Sequence, residues 1–159
     1  MRFPEMYKVV PVMSDLAMGS TPTKSDSINM SKFHRATYII MIGNTLAGAD
    51  ATLTVWSGAT DAAVTSQIYF KYAFSGGAGL SATADVLAAD SYVNTLLIAH
   101  ATKDCFMLIV EVDVADMDMA NQEEWLTLSF ADAGTTGEIS AVAILEPRYS
   151  QACSVTALA

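Results

Sequence analysis

The chain has 159 residues, with 17 Asp plus Glu against 8 Lys plus Arg for a net charge of −9; 52% of the residues are hydrophobic and 16% are charged. A chain of this length buries roughly 70% of the surface its unfolded form exposes, so it can build one full core without staples, and disorder is excluded. A charged fraction well below the usual ~25% predicts apolar surface that is covered by partner subunits rather than by water, hence an oligomer.

The charge is unevenly placed. Residues 1–35 hold five basic residues against three acidic ones, net +2, whereas the remainder holds three against 14, net −11. An acidic body repels phosphate backbones and no basic stripe is interleaved with aromatics, so nucleic acid is not an expected partner. The apolar runs Ala36 to Gly43 and Cys105 to Val110 fall far short of the ~20 residues of a spanning helix, and no membrane association is expected. No signal-like apolar run precedes the polar stretch Ser14 to Ser27, so a cleavable secretory signal is not expected either. Cys105 and Cys153 stand in no metal or redox spacing and read as two unpaired thiols.

In chain order, Tyr7 to Met13 reads as a short edge strand. Ser14 to Asp26, rich in Gly, Ser, Thr, Pro and Lys, reads as an extended arm or long loop. Ser27 to Ser31 reads as a second short edge strand. Ala36 to Ile42 is β-branched and aromatic, ends at Gly43-Asn44 and predicts a buried strand. Thr52 to Gly58 alternates with the two-residue period of a half-buried strand, which turns Leu53 and Val55 inward and Trp56 outward. Ala59 to Thr65 is a possible helical turn. Gln67 to Phe74 predicts one further strand, closed by the Gly-rich turn at 75–79.

Asp85 to Ala89 and Thr95 to Ala99 are ambiguous between strand and short helix. Cys105 to Asp113 predicts a strand with Met107, Ile109 and Glu111 on one face and Phe106, Leu108, Val110 and Val112 on the other. Val114 to Glu123 is another candidate for helical turns, and Trp125 to Phe130 and Ile139 to Leu145 complete the strands. Short strands separated by turns, with no long amphipathic helix, predict an all-β antiparallel sandwich of jelly-roll type. The expected organisation is a single domain, with an arm and edge strands over residues 1–31, the sandwich over 32–150 and a tail over 151–159.

No constellation points to catalysis. The acidic cluster Glu111, Asp113, Asp116, Asp118, Asn121, Glu123 and Glu124 is the best metal candidate by composition, but its spacing fits no EF-hand and no Gly follows, so it reads as a solvated acidic turn. His34 and His100 stand alone. The 75–79 stretch lacks the Gly-Lys-Ser/Thr ending of a phosphate loop, and no Gly-x-Ser-x-Gly elbow occurs. No enzyme, metal or cofactor is expected.

Four segments carry a resemblance as an ordered set: Phe33-His34-Arg35-Ala36-Thr37-Tyr38-Ile39-Ile40, Ala51-Thr52-Leu53-Thr54-Val55, Val110-Glu111-Val112-Asp113 and Ile144-Leu145-Glu146-Pro147-Arg148-Tyr149. Together they resemble small β-rich virion proteins of tailed bacteriophages, in particular head decoration (cement) proteins, over residues 30 to 150, with Glu-Pro-Arg-Tyr as the most specific piece. The resemblance implies a non-enzymatic subunit made in the host cytoplasm that binds the outside of the assembled head. It implies the major capsid protein and two further copies of the chain, in a homotrimer, as partners. Arg2, Lys8, Lys24 and Lys32 are then candidates for docking charge on an acidic capsid face, and Trp56 and Arg148 for interface anchors. The local alternatives are solvated charge for the basic segment, a core position for Trp56, and a Glu146 pair or packing after Pro147 for Arg148. Two other functions compete: a neck, tail or other minor virion subunit, and a carbohydrate-binding jelly-roll module using Trp56, Tyr92 or Trp125.

Overall fold

The structure, a computed structural model, describes residues 3–18, 21–43, 50–76, 86–103, 105–132, 137–149 and 156–158. Twelve strands run through them in the order β1 (Lys8–Met18), β2 (Thr23–Lys24), β3 (Ile28–Asn29), β4 (Phe33–Ile42), β5 (Ala51–Gly58), β6 (Ser66–Ile68), β7 (Phe70–Gly76), β8 (Ser91–Val93), β9 (Thr95–Ile98), β10 (Phe106–Asp113), β11 (Trp125–Asp132) and β12 (Gly137–Pro147). Every ladder is antiparallel. Sheet 1 has the order β1-β12-β4-β10-β7-β8, and sheet 2 has β2-β11-β5-β6, with β3 also on β11 and β9 also on β5.

The pairing is nested. β1 lies on β12, β2 and β3 on β11, β4 on β10, and β5 on β9, so the chain is a long antiparallel ribbon folded back on itself and then rolled into two sheets. That winding is a jelly roll, as the strand pattern predicted, with β7 and β8 added to the edge of sheet 1. The core lies between the sheets. On β4, Ala36, Tyr38, Ile40 and Ile42 point in, against Leu108, Val110 and Val112 of β10; from sheet 2 come Leu53, Val55, Leu126, Leu128 and Phe130, all essentially without exposure. Each of the Val, Leu, Ile and Phe side chains among them contributes roughly 1.5–3 kcal/mol relative to leaving it in water.

Several expectations change in detail. Of the stretch Ser14 to Asp26, the described residues 14–18 and 21–26 lie along the sandwich. β1 continues through Met18, with register shifts between Pro11 and Leu16 that absorb Ser14 and Asp15 as an irregularity instead of ending the strand. Asp15 takes a left-handed backbone, φ 50°, and its N–H donates to Ser140 Oγ at 3.0 Å. Asp26 N–H donates to Val12 O at 3.0 Å, and the Ser25 backbone pairs with Leu128, so this stretch ties sheet 2 to sheet 1. Gln67 to Phe74, expected as one strand, is two: β6 belongs to sheet 2 and β7 to sheet 1, and the chain changes sheets at Tyr69. Such a corner is how a strand passes between packed layers.

Of the two ambiguous segments, 95–98 is strand, while 86–89 is irregular, although Ala88 N–H donates to Phe74 O. Ala59 to Thr65 forms a non-helical turn, and a side chain on the preceding Gly58 would place Cβ 2.6 Å from Ala63 Cβ, so glycine is required there. Val114–Asp116 and Met119–Asn121 are short 3-10 turns, as expected. Cys105, expected inside a strand, sits in a left-handed turn just before β10 with φ 61° and is a free thiol. Cys153 lies outside the described residues.

Candidate functional site

A two-layer sandwich covers only one face of each sheet, so the chemistry of the two outer faces decides what the molecule can touch. On sheet 1 the register places outward residues in rows across the strands. One row reads Pro11, Val142, Ile39, Ile109 and Ala73 from β1 through β12, β4 and β10 to β7. The neighbouring row runs Val9, Ile144, Thr37, Glu111, Lys71 and Tyr92. On the other side of the apolar row come Ser140, Met41, Met107 and Ser75.

This face therefore has two halves. Over β1, β12 and β4 it is aliphatic and open: Met41 is 51% exposed, and Val9 and Val142 are exposed with it. Over β10, β7 and β8 it becomes charged and aromatic. The Arg35 guanidinium lies 3.9 Å from Asp113, and Lys71 stands opposite Glu111. A trough of about 310 Å³ follows the β7–β10 seam, floored by Ala73 and Ile109 and walled by Leu87 to Asp90. Tyr92 stands opposite the trough residue Lys71 in the β7–β8 register, and Tyr69 and Tyr92 stack with ring centroids 5.2 Å apart, each about half exposed (50% and 52%). Tyr92 Oη donates to Asp116 at 2.7 Å, and that bond raises the phenol pKa above its ordinary value.

Sheet 2 presents hydroxyls. Thr52, Thr54, Trp56, Thr127 and Ser129 occupy its outward positions by register and alternation. Thr127 is nevertheless buried, because Ser27 Oγ meets Thr127 Oγ1 at 2.7 Å and accepts the Ala62 N–H at 2.9 Å. Ser27 and the 59–65 turn thus cover this face at Thr127, whereas Leu97, opposite Thr52 on β9, stays exposed.

The residues singled out from sequence do not converge. Arg2 lies outside the described residues. Lys8 is half-buried at the start of β1, and Lys24 is exposed on β2. Lys32 is exposed in the turn before β4, where its carbonyl accepts the Arg148 N–H at 2.9 Å. Arg148 Nε donates to Phe33 O at 3.0 Å, so the guanidinium is used locally to fix the β4 start to the end of β12. Trp56 points out from sheet 2, half-buried, with Nε1 donating to Thr54 Oγ1 at 2.9 Å. Sequence reasoning missed Met41, Val142, Tyr69 and the trough. For Met41 and Val142 the signal lies in strands that are apolar on both faces, a pattern that suits burial on both sides.

The acidic cluster is dispersed into structural roles. Asp113 accepts the Ala115 N–H and Asp118 accepts from Asn121, each capping a 3-10 turn. Glu123 is buried and accepts Ser57 Oγ at 2.6 Å and Ser66 Oγ at 3.1 Å. Among the described residues, no group of three or more His, Cys, Asp or Glu could hold a metal ion, and no helix is long and apolar enough to cross a membrane.

No protein-family model matches the chain, and no curated protein does. Among solved structures, a chain of the crystal structure of the T13 IBDV viral particle is 10% identical and aligns over 95% of this chain, with a TM-score of 0.23. This chain spans 42% of that viral chain, and a likeness so slight carries no argument about fold or function.

Proposed function

We propose that this chain is a non-enzymatic virion protein of a tailed bacteriophage that binds the outer surface of the head and stabilises the shell, as a homotrimer docked on the major capsid protein. The observation that carries the reading is the open aliphatic half of sheet 1, around Val9, Met41 and Val142. Contiguous apolar surface of this kind is characteristic of protein contact. An acidic body keeps such a subunit off the packaged genome, and many modest interfaces on an expanded shell stabilise that state by mass action. A jelly roll by itself assigns no function, since the architecture hosts unrelated ones.

Quantitative mass spectrometry of purified virions, comparing this chain with the major capsid protein, tests the reading. A copy ratio near one, or a simple fraction of it, is the expected result. A few to a few tens of copies would assign the chain to the neck or tail, and absence from particles would overturn the virion reading.

A further inference from the structure

The charged and aromatic half of the sheet 1 face has a different chemistry from the aliphatic half. Its trough of about 310 Å³ falls within the range of small-ligand sites, with an apolar floor of Ala73 and Ile109 and a few polar groups at its rim. Lys71 and Glu111 also line a second hollow, with Arg35, Asp113 and Asp116, so the two hollows meet at a donor and an acceptor that they share. Beside them the Tyr69–Tyr92 pair is held by the Asp116 hydrogen bond. With one face of each ring on its neighbour and half of each residue open, an outer ring face remains for stacking.

We propose that this trough and the tyrosine pair form a binding site for a neutral oligosaccharide. A sugar ring offers an apolar C–H face to an aromatic ring and vicinal hydroxyls that both donate and accept, which matches Tyr92 next to Lys71 and Glu111. Anionic ligands fit poorly, because Asp90, Glu111, Asp113 and Asp116 outnumber Lys71 and Arg35 around the two hollows. An extended peptide fits poorly as well: the outer edge of β7 is already taken by β8 and by the Ala88 N–H to Phe74 O bond, leaving little ladder for an added strand. The site is independent of where the chain resides, so it is measured on the isolated full chain and stands or falls apart from the virion reading.

Native affinity electrophoresis in gels carrying dextran, starch, galactomannan, hydroxyethylcellulose or xylan, with heparin as the polyanion, tests it. Retardation in at least one neutral polysaccharide and none in heparin is expected. Tyr92→Ala and Tyr69→Ala should each weaken the retardation at least about tenfold. Tyr92→Phe, which keeps the ring and loses the Asp116 bond, should weaken it less. Both tyrosines are exposed, so circular dichroism and the melting temperature should remain those of the parent. Leu97→Ala, on an exposed residue of sheet 2, should leave retardation unchanged. No retardation in any neutral polysaccharide, retardation in heparin alone, or retardation indifferent to both tyrosine truncations would overturn the proposal.

Discussion

The two sheets bury equivalent aliphatic faces against each other yet present opposite surfaces outward. Sheet 2 carries Thr52, Thr54, Thr127 and Ser129 beside the exposed Leu97, and Ser27 Oγ bonds Thr127 Oγ1 while accepting the Ala62 N–H. Sheet 1 carries Pro11, Ile39, Met41, Ile109, Val142 and Ile144. A hydroxyl-rich face can satisfy itself with local bonds, whereas an aliphatic one gains only by leaving water. The difference teaches that polar substitutions on sheet 2 act on stability, and those on sheet 1 act on association.

That division can be broken by experiment. The largest effect is expected from Met41→Lys combined with Val142→Lys, which places two charges on the open aliphatic half of sheet 1. Binding to purified heads that lack the chain should fall by about 100-fold in a sedimentation assay, with the melting temperature nearly unchanged. Thr52→Lys on the sheet 2 face should leave head binding intact, and equal losses from both faces would dissolve the distinction.

Next in size is Glu123→Ala. It strips the carboxylate acceptor from two hydroxyls, one of them, Ser57, fully buried, and should cost about 2–4 kcal/mol in urea unfolding without altering head binding. Glu123→Gln, which keeps an acceptor, should cost less.

The smallest effect concerns Tyr38 on the inner face of β4, whose buried hydroxyl has no hydrogen-bond partner among the described residues. Tyr38→Phe should stabilise the fold by about 1 kcal/mol, because it removes an unsatisfied group and leaves the ring in place. Burial also pushes the phenol pKa far above its ordinary 10.0. Above that pH the unfolded chain loses this proton while the folded chain keeps it, so stability falls as pH rises, by up to about 1.4 kcal/mol per unit from this group. Unfolding midpoints taken between neutral and alkaline pH should fall less steeply in Tyr38→Phe than in the parent.

Much of this architecture is legible in the chain. The two-residue alternation at Leu53 and Val55 and at Phe106 to Val112 assigns the inner faces, and the turn residues separate most strands. What escapes is decided by long-range pairing. Ser14 and Asp15 look like the start of a loop, but β12 holds β1 in register beyond them. Tyr69 looks like mid-strand, but the chain needs a corner there to reach sheet 1. The site was hidden for a related reason. Ile39, Met41, Met107 and Ile109 fall on the second face of strands whose composition suits burial on both sides, and only the layer count shows that no third sheet covers this face among the described residues.

The nested ribbon also governs how the protein can be made. β12 is the strip between β1 and β4, and it pairs Lys8 with Leu145 near opposite ends of the sequence. Sheet 1 therefore cannot close during synthesis until β12 has left the ribosome, and until then β1 and β4 each present an unpaired edge to it. Such non-local topology folds slowly and exposes strand edges to other nascent chains. A truncation ending before Gly137 would leave that gap permanent, so the expected product is an aggregate in place of a smaller sandwich.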